Sequence, residues 1–237
     1  MRKVLFSVVA LCFAALIMYS GWQIWQTNAA YENEAEMHKV VLQYRPVDNQ
    51  IVNQGVIDLR EKYPDVAGWL SIANTNIDYP FVWYADNEYY LHKNLDGKYA
   101  AAGTVFMDYR CNKDFTSQNT IIYGHHMKNK SMFGTLQSFN IKTFFEENQT
   151  GTIYLPHDTL TLEFFAYMVL NPAAENEIYS PTLSENYFAD VKANARHYRE
   201  IGVGEDDRIA TLSTCAYEFN NARMVLLARI INNETRR

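Results

Sequence analysis

The sequence is poor in cysteine, proline and basic charge. Its 237 residues include three cysteines and six prolines, and 21 lysines and arginines stand against 27 aspartates and glutamates. A formal charge of −6 without a long basic run argues against nucleic-acid binding. No cysteines and histidines have the spacing of a zinc site, so neither a metal nor a cofactor is predicted. Hydrophobic residues make up 48% of the chain, enough for a sizeable core, so bulk disorder is not expected.

The three cysteines do not form a disulfide framework. Cys12 lies in an apolar N-terminal stretch, which leaves Cys111 and Cys215 for the rest of the chain. These two could form one disulfide, although their spacing gives it no support and a framework normally shows more cysteines in an even set. The sequence leaves both alternatives open.

The N-terminus carries the longest apolar stretch. A helix over residues 4–25 would span about 33 Å, which matches a bilayer core of roughly 30 Å. Trp22 and Trp25 would lie at the far interface, and Arg2 and Lys3 would keep the N-terminus in the cytoplasm. This predicts a cytoplasmic tip of residues 1–3, a single-pass anchor and an extracellular remainder.

A cleaved signal peptide is the alternative interpretation of the same stretch. Small residues at 27–30 offer a weak cleavage site, whereas the length of the apolar run and its terminal tryptophans favour an uncleaved anchor. In either case the soluble part would work outside the cytoplasm.

Two predicted helices follow the apolar stretch, and predicted strands make up most of the remaining chain. Residues 31–44 and 52–63 predict two helices that end at Pro46 and Pro64. Strand patterns then predominate, over residues 68–72, 77–82, 103–108, 119–124, 150–155, 160–169, 208–215 and 223–231. Many strands without regular βα alternation predict a mainly β fold, a closed antiparallel or mixed barrel.

Three shorter segments among the strands read as helical. Residues 89–91 predict a short helix or turn, and Ser131 is predicted to cap a helix running to Phe139. Residues 181–200 have an apolar face at helical spacing and predict an amphipathic helix.

The chemistry-bearing residues stand where predicted strands end. Cys215 closes an apolar strand, and His125 follows Gly124 at the end of another. A thiol and an imidazole at two strand ends can meet as a nucleophile with an acid/base partner. Arg223 begins the return strand, where a guanidinium suits a developing oxyanion. Taken singly, Cys215 could instead be a core cysteine and Arg223 a surface salt-bridge residue.

Together these residues resemble the sortase signature. The resemblance rests on the pentapeptide Thr-Leu-Ser-Thr-Cys ending at Cys215, on Tyr-Gly-His ending at His125, and on Arg223 shortly after the cysteine. Further stretches resemble class B sortases, namely residues 65–70, 77–80, 86–91, 104–110, 123–127 and 132–134.

The resemblance implies a fold and its divisions. It implies an eight-stranded sortase β-barrel over residues 65–237, preceded by a helical stalk and N-terminal helices over residues 26–64. The segment 181–200 looks like the additional helix that class B members carry before the cysteine strand.

The resemblance also implies an activity. Cys215 would be the nucleophile, His125 the acid/base and Arg223 the oxyanion stabiliser of a cysteine transpeptidase, while Ser213 and Thr214 would shape the substrate groove. The enzyme would cleave the sorting signal of a secreted surface protein after threonine. It would then join that protein to an amine of a lipid II-type peptidoglycan precursor in a Gram-positive cell wall.

Some residues depart from the family pattern or fall outside it. Tyr217 stands where some class B members carry an acidic residue, so no acid is assigned to the catalytic set. His126 is expected at the rim or in solvent, because His125 is the residue that directly follows Gly124. The other histidines match no motif and are expected to be surface or structural residues: His38, His92, His157 and His197.

Three rival functions remain. A papain-like hydrolase would place its cysteine before its histidine, the reverse of the order here. A pilus-polymerising sortase would use the same chemistry with a lysine acceptor. A non-catalytic, membrane-anchored binding domain would explain the anchor and the aromatic residues but not the Cys, His and Arg pattern.

Overall fold

A computed structural model describes residues 2–47, 52–172, 176–215 and 222–232, with the backbone alone at positions 176 and 215. Its α-helices are α1 (Arg2–Leu42), α2 (Gln54–Lys62), α3 (Lys142–Glu147) and α4 (Tyr187–Asn194). Three 3₁₀ helices span Tyr89–His92, Gly134–Asn140 and Asn176–Tyr179. The strands are β1 (Val66–Ser71), β2 (Asp78–Trp83), β3 (Val105–Met107), β4 (Asn119–Tyr123), β5 (Thr150–Leu155), β6 (Asp158–Leu170), β7 (His197–Tyr198), β8 (Ile209–Cys215) and β9 (Arg223–Asn232).

Eight strands close into a barrel, which confirms the predicted fold. They follow the order β5-β1-β2-β3-β4-β8-β9-β6, and β5 pairs with β6 to close the ring. The barrel is mixed, because β2–β3 and β4–β8 are parallel pairs and the other neighbours are antiparallel. The two-residue strand β7 lies outside the ring and pairs with the second half of β6.

Helix α1 is one continuous helix, in which the predicted anchor and stalk are not separated. Among the described residues it is the one helix long and apolar enough to cross a membrane, and no residue of its most apolar stretch is buried. Towards its C-terminal end the exposure changes, since Val41 is buried against the barrel. Helix α2 follows and buries Val56 and Leu59.

The position of Cys111 excludes the Cys111–Cys215 disulfide that the sequence left open. Cys111 is a free cysteine, 2% exposed, and its sulfur contacts the Asn119 oxygen at 3.4 Å and the Ile121 nitrogen at 3.5 Å. Asn119 pairs with Ile209, at the opposite end of β8 from Cys215. Cys111 therefore lies at the far end of the strands from the second cysteine.

Three predicted elements are corrected by the structure. The helix expected over residues 181–200 is limited to α4, because the chain beyond it pairs with β6: Arg196 N–H donates to the Tyr167 carbonyl and Arg199 N–H to that of Phe165. Ser131 caps no helix, since its hydroxyl donates to Asn129 and the helix begins at Gly134 as a 3₁₀ turn.

The strand expected over residues 103–108 is the third of these. It is reduced to β3, because Gly103 has a left-handed φ of +57° that no regular strand adopts.

Candidate active site

The ends of β8 and β9 face each other across an antiparallel pair. Cys215, the last residue of β8, is the direct Cα partner of Arg223, the first residue of β9. The predicted return strand is therefore present, and it brings the start of β9 beside the cysteine. Paired residues in an antiparallel ladder have Cα atoms about 4.5–5.5 Å apart, so this register fixes how closely the two residues approach. The side chain of Cys215 and the whole of Tyr217 lie outside the described residues.

His125 leaves the neighbouring strand at the same end of the barrel. Strand β4 runs parallel to β8 with Tyr123 opposite Ser213, and the Gly124 N–H donates to the Ser213 carbonyl at 3.1 Å. His125 therefore emerges beside the last residues of β8. Gly124 is required here because a Cβ atom at position 124 would lie 2.5 Å from the ring of Phe133, which packs against it.

A main-chain carbonyl holds the imidazole of His125. Its Nε2 lies 2.6 Å from the Leu91 oxygen. A carbonyl oxygen only accepts hydrogen bonds, so Nε2 carries a hydrogen and Nδ1 is the atom left to exchange a proton. Burial is the main cause that lowers the pKa of His125, and the charges of His92 and Arg223 lower it further against the opposing effect of the Leu91 hydrogen bond.

His92 lies closer to this site than its lack of a motif suggested. It is exposed, and its ring centroid is 5.7 Å from that of His125. It ends the 3₁₀ helix that also provides the Leu91 carbonyl. The sequence predicted a role at this site for neither Leu91 nor His92. Every residue has a main-chain carbonyl, so residue type could not identify Leu91, and His92 matched no motif.

Arg223 is half-buried and does not act as a salt-bridge residue within the described part of the chain. Its Nη1 donates to the Ala222 carbonyl at 3.3 Å, and no described carboxylate lies within ion-pair distance. The alternative role as a surface ion pair therefore has no support there. With no anionic partner among the described residues, the guanidinium has donors there that suit a developing negative charge.

Ser213 and Thr214 are buried in the barrel wall, at 1% and 3% exposure. The Ser213 hydroxyl is 2.9 Å from the Tyr179 hydroxyl, whereas the Thr214 hydroxyl has no hydrogen-bond partner among the described residues. Both side chains are buried in this structure, and their role in substrate binding stays a prediction.

The buried carboxylate of Asp108 is hydrogen-bonded to Tyr123, the last residue of β4. Asp108 is 0% exposed and accepts hydrogen bonds from Arg110 at 2.8 and 2.9 Å, from Asn87 at 3.1 Å and from the Tyr123 hydroxyl at 3.0 Å. Burial alone would raise its pKa, but the hydrogen bonds from Arg110 outweigh burial and lower it. Arg110 also donates to the Tyr179 carbonyl at 2.8 Å. The Asp108–Arg110 ion pair thus connects Tyr123, at the end of β4, with Tyr179.

A thiol, an imidazole and a guanidinium at adjacent strand ends are suited to acyl transfer. The thiolate can attack a carbonyl, the imidazole can move a proton and the guanidinium can bind an oxyanion. The described residues contain no cluster of three or more histidine, cysteine or acidic side chains that could hold a metal.

Known proteins that are similar to this chain belong to one family, although no family model matches the chain. It is 32% identical to Sortase B of Listeria monocytogenes over 242 aligned positions, which cover 94% of this chain and 95% of that protein. The crystal structure of Clostridium perfringens sortase B superposes with a TM-score of 0.70 at 34% identity, covering 74% of this chain and 98% of that one.

Two further structures bear on the choice of acceptor. A class B sortase of Streptococcus pyogenes involved in pilus biogenesis has a TM-score of 0.68 at 32% identity, with 74% of this chain and 97% of that chain covered. A sortase B complexed with triglycine has a TM-score of 0.76 at 25% identity, with 86% of this chain and 99% of that chain covered.

Proposed function

Because this chain belongs to the class B sortase family and is a cysteine transpeptidase of that family, we propose that it cleaves a C-terminal sorting signal of secreted proteins after threonine and joins them to a peptidoglycan amine. The observation that carries the proposal is the register of the barrel wall. Cys215 pairs directly with Arg223, and His125 follows the parallel neighbour of the cysteine strand.

The first half of the reaction forms a thioacyl enzyme. The Cys215 thiolate attacks the threonine carbonyl carbon, and the negative charge that develops on the carbonyl oxygen is bound by Arg223 and a main-chain N–H. The tetrahedral species collapses with cleavage of the peptide bond. His125, protonated on both nitrogens, gives the Nδ1 proton to the departing amine, while its Nε2–H stays bonded to Leu91.

The second half transfers the acyl group to an amine. The neutral acceptor amine attacks the thioester carbonyl and loses a proton to Nδ1 of His125, and the Cys215 thiolate is regenerated. A glycine amine of a lipid II-type precursor is the acceptor that we propose. The relative complexed with triglycine supports this class of acceptor.

A pilus-type acceptor is the second candidate, because one similar class B sortase is involved in pilus biogenesis. The two acceptors differ in product mass. Enzyme given a sorting-signal peptide with equal triglycine and lysine-containing peptide should yield the triglycine adduct in mass spectrometry; a product linked through the lysine side chain would favour the pilus alternative.

We place the enzyme on the outer face of the cell membrane, with α1 as an uncleaved anchor. The apolar stretch of α1, in which no residue is buried, supports this location, and Arg2 and Lys3 support a cytoplasmic N-terminus. Protease digestion of intact cells and of lysed cells tests the orientation, since the barrel should be accessible in both.

Cleavage of an Asn-Pro-x-Thr-type fluorogenic peptide by the full chain tests the proposed residues. Cys215→Ala should abolish turnover and His125→Ala should nearly do so, whereas the neighbouring His126→Ala should retain most of the rate. Normal turnover by Cys215→Ala would refute the proposal, and equal losses in the two histidine variants would refute the role of His125.

A further inference from the structure

The C-terminal part of helix α1 and the turn that follows it are docked on the barrel at β2. Arg45 Nε lies 2.7 Å from Asp78 Oδ2, and His38 Nε2 lies 3.0 Å from the Asp78 carbonyl oxygen. The His38 ring stacks on Tyr79 with 4.4 Å between centroids, and Val41 is 2% exposed. The helix that carries the apolar anchor is thus attached to the wall of the catalytic barrel.

Tyr79 connects this helix to a second segment. Its hydroxyl donates to Glu34 Oε1 of α1 at 2.9 Å and accepts the main-chain N–H of Met132 at 3.1 Å. The side chain is 6% exposed. Burial and the nearby charge of Glu34 raise the pKa of Tyr79, so the phenol stays protonated and keeps its donor.

Met132 belongs to the loop that follows His125 and folds back on it. The N–H of Phe133 donates to the His125 carbonyl at 3.0 Å, and His126 forms a β-bridge with Met132. Met132 has a φ of +52°, a conformation that a residue with a side chain adopts only when its surroundings hold it. The hydrogen bond from Tyr79 is one of the contacts that hold it.

We propose that Tyr79 is a positioning residue that uses the docked helix α1 to fix the His125 loop in its working geometry. The proposal rests on the proposed role of His125 in proton transfer. Glu34 orients the Tyr79 hydroxyl, the hydroxyl holds the N–H of Met132, and the adjacent Phe133 N–H holds the His125 carbonyl. The Leu91 carbonyl then holds the ring from the other side.

Removal of one oxygen atom tests the connection in the full chain. Tyr79→Phe keeps the ring stacked on His38 but loses both hydrogen bonds. We expect kcat for sorting-signal cleavage to fall by about tenfold with KM little changed, because a small misplacement of a catalytic group is costly. Tyr63→Phe is the matched control, since its hydroxyl bonds Asp96 at the surface and makes no contact with this loop.

Two substitutions at Glu34 separate positioning from a loss of folding. Glu34→Gln keeps an oxygen that accepts from Tyr79 and should retain the wild-type kcat, while Glu34→Ala should lower kcat by less than Tyr79→Phe. Neither substitution changes the barrel core, so kcat can be measured in both variants even if Tyr79→Phe does not fold. The NMR titration of His125 should differ from wild type in Tyr79→Phe and match it in Glu34→Gln.

The outcomes also distinguish this proposal from the proposed function. A wild-type kcat in both Tyr79→Phe and Glu34→Ala, or a loss confined to KM, would overturn the positioning role, while the Cys215 and His125 variants would still be inactive. Activity in the Cys215→Ala protein would instead overturn the proposed function itself.

Discussion

Gly103 lies directly against the main chain of Leu91. A Cβ atom at position 103 would come within 2.5 Å of the Leu91 carbonyl oxygen and 2.6 Å of that of Tyr90. The Leu91 oxygen is the acceptor for His125 Nε2. A glycine just before β3 thus leaves room for the main-chain carbonyl that binds the imidazole.

Gly103→Ala should therefore reduce both stability and activity. The φ of +57° alone costs about 1–2 kcal/mol with a side chain present, and the clash adds displacement of the Leu91 carbonyl. We expect sorting-signal cleavage to fall by about tenfold. Gly202→Ala is the matched control, because Gly202 has a φ of +70° and open space around it. It should show the stability cost in urea unfolding with unchanged cleavage; equal activities in the two variants would contradict the prediction.

Arg223→Lys should keep the positive charge but lose the planar fork of donors. Loss of an oxyanion donor costs about a hundredfold or more in kcat, and a point charge does not reproduce the fork. Steady-state kinetics should show the loss in kcat rather than KM. Arg229→Lys, on the same strand but paired with Glu163, should remain close to wild type. A fully active Arg223→Lys enzyme would remove the guanidinium from the mechanism.

Thiol alkylation should distinguish the two cysteines of the barrel. Burial raises the pKa of Cys111 to about 11, so this thiol stays protonated at neutral pH and is shielded from reagent. Peptide mapping after iodoacetamide treatment should find label on Cys215 in the native protein. Cys111 should react only after unfolding in urea. Label on native Cys111 at a comparable rate would contradict the buried position of its sulfur.

The pH dependence of stability should carry a contribution from His125. Burial lowers its pKa below the ordinary value of 6.5, so the unfolded chain binds the proton more tightly than the folded chain. This contribution to the free energy of unfolding is complete above pH 6.5 and is lost as the pH falls towards the folded-state pKa.

Urea unfolding at about pH 8 and about pH 5 measures this loss. His125→Gln should lose less stability than wild type over that interval, and the exposed His157→Gln should behave as wild type. Identical losses in wild type and His125→Gln would show that the imidazole does not titrate differently on folding.

The strands were predictable where the local pattern and the tertiary partner agree. The expected strand 150–155 matches β5, and Arg223 begins β9 as its spacing from Cys215 indicated. The helix predicted over residues 181–200 was wrong beyond α4. Its apolar face has helical spacing, but the backbone after α4 hydrogen-bonds the edge of β6 that β5 leaves unpaired. Tertiary pairing overrode the local periodicity there.

The residue types at the candidate site were predictable, but their supporting contacts were not. Cys215, His125 and Arg223 stand out because their chemistry is unusual at strand ends. The Leu91 carbonyl and the Met132 N–H are main-chain groups that every residue possesses, so only the fold selects them. Asp108 could have been suspected as an acidic residue next to an apolar strand, but its burial depends on Arg110 and Tyr123.

The parallel pairing of β4 with β8 has a consequence for the chain while it folds. Parallel neighbours join stretches that are distant in sequence, and such contacts form late because long loops have to close first. Until β4 pairs with β8, the thiol has no imidazole beside it. The chain thus gains its proton-transfer partner late in folding, and full reactivity of the thiol begins only then.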